Sequence, residues 1–172
     1  MINWNDKKAK ISKYFTVHEA TYLPSWHTYH NPSETEKANI LALAEKLDFI
    51  RELINLPIEI HCWIRPTKVN LSACITNPVY SYDKAKRVLQ EKALQERNYN
   101  AFIGSTAKVS AHIIGNAVDF TPVGPDTSAT CKKYRAIILP YLEKLGLRME
   151  DIVGAWIHVD RNPVKTERFF KP

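Results

Sequence analysis

The segment from Asn31 to Pro57, "NPSETEKANILALAEKLDFIRELINLP", is the feature that most restricts how this chain folds. Ser33 and Glu36 have the spacing of a capping box, in which each side chain binds the other residue's backbone amide. Apolar residues then recur at helical spacing until Pro57, which ends the helix. They are Ile40, Leu43, Ala44, Leu47, Ile50 and Ile54. The pattern predicts one long amphipathic helix.

Three short segments have the composition of strands: "IEIHCWIRP" after Pro57, "AVDFTP" from Ala117, and "AWIHVD" from Ala155. Period-2 alternation places four residues of the first segment on one face, namely Ile58, Ile60, Cys62 and Ile64. In the third, Ile157 and Val159 face one side, opposite to His158 and Asp160. One long helix with short strands and long connections predicts an α+β fold and not a doubly wound sheet.

The length of 172 residues is that of one ordinary domain, and we expect a single domain spanning 1–172. A highly charged stretch at about 74–109 separates the first strand from the later ones, and we interpret it as a surface insertion or lid. A helix is expected before Gly146, interrupted near Pro140.

Composition excludes several classes of protein. No window approaches the roughly 18 apolar residues of a membrane span, and the segment "MINWNDKKAKISKYF" lacks the apolar core of a secretory signal. We therefore expect no membrane span and synthesis in the cytoplasm. The three cysteines are an odd number at wide spacings, so we interpret them as structural thiols. The net charge of +6 favours polyanionic surroundings, but no recognised nucleic-acid motif is present, so no nucleic acid is expected as a partner.

Two strand segments carry polar residues where apolar ones are expected. Asp119 interrupts "AVDF", seven residues after His112, and His158 interrupts "WIHVD". A buried carboxylate must be paired, hydrogen-bonded or bound to metal. Two imidazoles and one carboxylate leave a tetrahedral zinc ion one open position, as a catalytic zinc requires. The alternative is a buried His–Asp hydrogen bond that only holds two strands together.

The wording of these motifs resembles a known family. "SAHIIGNAVDF" resembles the Ser-x-His-x-x-Gly-x-Ala-x-Asp signature of the zinc D-Ala-D-Ala carboxypeptidases and L-Ala-D-Glu endopeptidases, which share the hedgehog/DD-peptidase fold. "IHCWIRPTKVN" resembles their I-x-S-x-Y-R-x-x-x-x-N segment, and "WIHVD" resembles their W-V-H-V/I strand. The resemblance implies a small antiparallel sheet with flanking helices and a zinc cleft.

Carried over residue by residue, the resemblance implies that one Zn²⁺ ion is held by His112, Asp119 and His158. Arg65 would bind a substrate carboxylate or polarise the scissile carbonyl, a role suited to its planar, permanently charged side chain. Ser110 would also face the substrate.

The acid/base residue departs from the family pattern. Many members carry a carboxylate three residues before the third ligand, where this chain has Ala155. Another branch places it farther upstream in an E-F-G-x-W-V-H arrangement, which "EDIVGAWIH" resembles with one extra residue. We therefore expect Asp151 to carry the proton, with Glu150 as its substitute.

The resemblance implies a monomeric, zinc-dependent peptidoglycan hydrolase that cuts a stem-peptide bond next to a D-amino acid, as a D,D-carboxypeptidase or an L-Ala-D-Glu endopeptidase. A phage or prophage lysis enzyme that reaches the cell wall after release by another protein is the expected context. Two alternatives remain open. One is a dipeptidase of the same fold, and the other is a non-catalytic, zinc-containing wall-binding module, which Ala155 permits.

Overall fold

The computed structural model describes residues 2–24, 27–66, 110–124, 127–151 and 154–171. Its helices and strands, in chain order, are α1 (Val17–Thr21), β1 (Tyr22–Leu23), β2 (Thr28–Tyr29), α2 (Glu34–Ile54), β3 (Ile58–Cys62), β4 (Ala117–Pro122), α3 (Thr127–Ile138), α4 (Leu142–Leu145), β5 (Arg148–Glu150), β6 (Ile157–Asp160) and β7 (Phe169–Phe170). Two short 3-10 helices, Ala111–Ile114 and Leu139–Tyr141, precede β4 and α4. The insertion predicted at about 74–109 lies outside the described residues.

The predicted long helix is α2, and its capping box is confirmed. The Ser33 hydroxyl accepts from the Glu36 amide, and the Glu36 carboxylate accepts from the Ser33 amide. At the other end Asn55 adopts the left-handed conformation, with φ 52°, two residues before Pro57. The six apolar residues predicted to share a face are all buried in the core.

The main sheet has the strand order β3-β4-β6-β5-β7. The first three pairings are antiparallel, whereas β5 and β7 are parallel. The coarse α+β class is therefore confirmed, but the expectation of a purely antiparallel sheet is wrong at β7. After β6 the chain reverses direction and adds β7 to the free edge of β5. Because β5 and β7 both run opposite to β6, they are parallel to each other.

The two faces of the sheet differ in chemistry. One face is apolar and packs in the same core as α2 and α3, through Ile58, Val118, Phe120, Met149, Ile157 and Val159. Cross-strand pairs place Asp119 opposite His158, and Ala117 opposite Asp160, on the other face. The alternation predicted for "WIHVD" is thereby confirmed. This second face, the polar face, carries the residues with chemical function.

A β-bulge changes the predicted alternation of β3. Ile60 is paired with Phe120, but the next pair joins Cys62 to Asp119, so His61 is an extra residue in β3. The prediction that Cys62 shares a face with Ile58 and Ile60 is therefore wrong. An inserted residue shifts the alternation by one position, which places Cys62 on the polar face beside Asp119.

The segment after β4 also follows its predicted course. Helix α3 gives way to the 3-10 helix that contains Pro140, and α4 ends at Gly146, whose φ is 63°. Among the described helices, none combines the length and apolar character that crossing a membrane requires.

Candidate metal centre

His112 is hydrogen-bonded to the backbone at one ring nitrogen and makes no hydrogen bond with the described residues at the other. Its side chain is 2% exposed and lies in the 3-10 helix before β4. Nδ1 is 2.8 Å from the carbonyl oxygen of Trp63. Because a carbonyl only accepts, Nδ1 carries the hydrogen, and in the neutral ring Nε2 presents a lone pair. Nε2 is buried and makes no hydrogen bond with the described residues.

Gly115 forms the turn that returns the chain from His112 to β4. Its φ of +73° lies in the left-handed region that favours glycine. A Cβ built there would lie 3.0 Å from Cγ1 of Ile40 and 3.3 Å from the backbone oxygen of Glu36. The turn after His112 is therefore packed directly on α2.

Asp119 lies between the two histidines. Its Oδ2 is 3.3 Å from Nε2 of His112, and its Oδ1 is 2.7 Å from Nδ1 of His158. The rings of His112 and His158 approach to 5.1 Å between centroids. The structure thus brings together the three residues predicted to be metal ligands, which come from two strands and one 3-10 helix.

The second ring nitrogen of His158, Nε2, also faces a carboxylate. Its Nε2 is 3.4 Å from Oδ2 of Asp160. Asp160 is 1% exposed and forms a bidentate ion pair with Arg148, with N–O distances of 2.9 and 2.8 Å. Both ring nitrogens of His158 therefore face carboxylates, and when a metal ion takes Nδ1, Asp160 is placed to accept the hydrogen on Nε2.

Both imidazoles therefore direct a ring nitrogen at an oxygen of Asp119. Two lone pairs facing a carboxylate repel it unless protons or a cation lie between them. Imidazole nitrogen and carboxylate oxygen are ligands that divalent transition metals accept. Nε2 of His112, Nδ1 of His158 and the Asp119 carboxylate are thus ligand atoms that face one another, with protons between them when no metal ion is bound.

Without a metal ion, protons on His112 and His158 supply the positive charge that balances the Asp119 carboxylate. Burial opposes charge on His158, but the carboxylates of Asp119 and Asp160 outweigh it and raise the pKa of His158 to about 9. Burial also lowers the pKa of His112. Asp119 and, to a lesser extent, Cys62 outweigh this effect and raise the pKa well above its ordinary value. Burial alone would raise the pKa of Asp119, yet the two histidines, His112 foremost, hold it far below its usual range.

Cys62 is a member of the cluster that sequence reasoning missed. One ligand atom each from Cys62, His112 and Asp119 lie within 4.8 Å of one another, so these three residues can hold a metal ion. The Sγ atom is 3.7 Å from Nδ1 of His112. The missing information was the bulge at His61, because alternation alone places the thiol on the apolar face.

The two candidate acid/base residues occupy different positions. Glu150 is the last residue of β5, and its Oε1 is 3.9 Å from Nε2 of His158. Burial raises the pKa of Glu150, with His158 acting in the opposite sense. Asp151 is exposed, and its backbone N–H donates to the Phe170 carbonyl. Of the two, Glu150 is the carboxylate next to the histidine cluster.

Arg65 and Ser110 flank His112. The backbone N–H of Arg65 donates to the His112 carbonyl at 2.9 Å, and its side-chain Nε is buried with no partner among the described residues. Ser110 is the partly exposed residue at the N-cap of the 3-10 helix. Ala155, where many members of the resembled family have a carboxylate, is exposed, and its carbonyl accepts from the Thr121 hydroxyl.

Comparisons of the chain with family models, with curated proteins and with solved structures find no match. The histidine cluster and the motifs that resemble the zinc peptidases are therefore the features of this chain that point to a function.

Proposed function

We propose that this chain is a zinc-dependent peptidase that hydrolyses a stem-peptide bond of peptidoglycan next to a D-amino acid. The observation that carries the proposal is the convergence of Nε2 of His112 and Nδ1 of His158 on the carboxylate of Asp119. Two imidazoles and one carboxylate form the ligand set of many catalytic zinc sites. The order of these residues along the chain, with Arg65 before them, also resembles the zinc D-Ala-D-Ala carboxypeptidases and L-Ala-D-Glu endopeptidases.

His112, Asp119 and His158 would hold the zinc ion, which when bound would supply polarisation of the scissile carbonyl and activation of water. Glu150 is suited to take up a proton and to pass it to the leaving amine, since burial raises its pKa and it lies beside His158. Its position supports Glu150 ahead of Asp151 in this role. Arg65 is suited to bind the terminal carboxylate of the substrate, and Ser110 is the N-cap residue of the 3-10 helix that contains His112.

A non-catalytic, zinc-containing wall-binding module is the second candidate. Ala155 favours this module, because many members of the resembled family have the acid/base carboxylate at the position where this chain has alanine. A dipeptidase of the same fold is a third reading, in which the metal and its ligands are unchanged and the substrate is small. The net charge of +6 supports an anionic substrate such as the wall over a free dipeptide.

The test is mass spectrometry of purified peptidoglycan fragments after incubation with the zinc-loaded protein, with and without a chelator. We expect loss of a terminal D-Ala or scission between L-Ala and D-Glu, and we expect the chelator and His112→Ala to abolish it. His27→Ala, which removes an exposed histidine, is the matched control and should retain activity. Intact fragments in the presence of bound zinc would instead support the binding module.

A further inference from the structure

Cys62 has no role in the proposed peptidase, yet its sulfur faces the metal cluster. We propose that the Cys62 thiolate is a fourth protein ligand of the metal held by His112, Asp119 and His158. This inference rests on the proposed metal site. It adds that the resting site is closed by a thiolate, in the position that a catalytic zinc leaves for water.

The register of β3 and β4 supplies the first reason. With regular pairing, the residue opposite Asp119 would be His61, and Cys62 would point to the apolar face. The bulge makes His61 the extra residue, and its ring instead contacts the hydroxyl of Thr121. A bulge disrupts the ladder locally, so it re-aims a side chain at a structural cost. Here it aligns Cys62, Asp119 and His158 across three neighbouring strands.

Distances supply the second reason. Tetrahedral zinc with bonds of about 2.0–2.3 Å places neighbouring ligand atoms roughly 3.3–3.6 Å apart. The separation of 3.3 Å between His112 and Asp119 falls at this value, and the ligand atoms of Cys62, His112 and Asp119 are all within 4.8 Å of one another. Nδ1 of His112, which is 3.7 Å from Sγ, donates to the Trp63 carbonyl, so the metal bond to His112 is assigned to Nε2.

The surroundings of the thiol supply the third reason. Cys131, the other cysteine among the described residues, is fully buried in α3 within the apolar core. Cys62 is only partly buried, and its Sγ is 3.7 Å from Nδ1 of His112, the ring whose buried Nε2 makes no hydrogen bond with the described residues. A thiolate beside two imidazoles and a carboxylate completes four ligands, which is the number found in closed zinc sites. Hydrolysis would then require that Cys62 release the metal.

Cobalt(II) titration of the purified full-length protein tests the assignment, because thiolate-bound cobalt absorbs in the near ultraviolet. We expect this charge-transfer band in the wild type, and we expect Cys62→Ala and Cys62→Ser to lose it while retaining the weaker visible bands of bound cobalt. Cys131→Ala and Cys74→Ser are the thiol controls and should keep the near-ultraviolet band. A wild type that binds cobalt without that band, or a Cys62 variant that keeps it, would overturn the proposal.

The same titration separates this inference from the proposed function. Cobalt binding that is lost in His112→Ala but shows no thiolate band would leave the peptidase site standing and remove Cys62 from it. Cobalt binding that does not depend on His112 would remove both. If the thiolate closes the site, the zinc form of Cys62→Ala should hydrolyse stem peptides several-fold faster than the wild type, and an equal or lower rate would contradict the closure.

Discussion

Asp119 and His158 lie directly opposite each other on β4 and β6, and Oδ1 of Asp119 is 2.7 Å from Nδ1 of His158. Antiparallel register places both side chains on the polar face, while their neighbours Val118 and Val159 enter the core. The same pairing that forms the sheet therefore aligns two of the candidate ligands. His112 completes the cluster from outside the sheet, held by the Trp63 carbonyl.

The Arg148–Asp160 ion pair should control metal affinity through His158. Asp160→Asn removes the carboxylate that faces Nε2 of His158 and that accepts its hydrogen when a metal ion binds Nδ1. We expect zinc affinity to fall by about 10- to 100-fold, the usual effect of losing such an outer partner. Competition with a chromophoric chelator measures this. Asp151→Asn removes an exposed carboxylate on the neighbouring strand end and should leave affinity unchanged; equal affinity in both variants would contradict the role of Asp160.

Zinc affinity should depend strongly on pH. His158, with its pKa raised from 6.5 to about 9, and His112, with its pKa also raised, must each lose a proton before the metal binds. We expect affinity to strengthen as pH rises toward about 9, by about tenfold per unit for each proton displaced. Isothermal titration at several pH values measures this.

The raised pKa values of His158 and His112 make the stability of the metal-free protein fall as pH rises, whereas zinc affinity increases. Because the folded-state pKa of His158 is raised, its contribution to stability is full below about 6.5 and is lost as pH rises through about 9. The metal-free protein should therefore unfold more easily at high pH, and zinc should protect it most there. His158→Ala should reduce both pH dependences, whereas His27→Ala should leave them as in the wild type.

Local patterns were sufficient to predict much of this fold. The buried face of α2 and the alternation of β6 follow from helical and period-2 spacing, since each depends on residues close in sequence. The same holds for Asp119 and His158, because a polar residue inside an apolar strand is visible without a structure, and His112 was identified by its spacing from Asp119. The position of Gly115 in the left-handed region also agrees with its place in the motif.

Features that depend on pairing between distant strands were not predictable. The bulge at His61 is set by the match between β3 and β4, so alternation assigned Cys62 to the wrong face. The parallel pairing of β7 with β5 depends on where the chain returns after β6. Glu150 and Asp151 are adjacent in sequence, and only the position of β5 beside β6 places Glu150 next to His158.

Substitution of the two acidic residues after Gly146 should identify the proton carrier. Glu150→Gln keeps the shape of the side chain but removes the basic carboxylate, so we expect hydrolysis to slow by about 10²- to 10⁴-fold. Zinc affinity should change little, because Glu150 is 3.9 Å from His158 and is not assigned as a ligand. Asp151→Asn is the matched control, with nearly wild-type turnover expected. Turnover numbers on a stem-peptide substrate decide between them, and the reverse pattern would assign the role to Asp151.

Gly115 and Gly146 form a matched pair for measuring how the turn after His112 supports the site. Both have positive φ, 73° and 63°, so alanine costs about 1–2 kcal/mol at either position through backbone conformation alone. At Gly115 the added Cβ would also press against Ile40 and the Glu36 carbonyl, whereas nothing lies within 4 Å at Gly146. We expect Gly115→Ala to lower the free energy of unfolding more than Gly146→Ala in urea titrations. Only Gly115→Ala should also weaken zinc binding, because a shift of the turn away from the Glu36 carbonyl moves the segment that carries His112. Equal losses of stability with unchanged zinc affinity would show that the turn does not position the histidine.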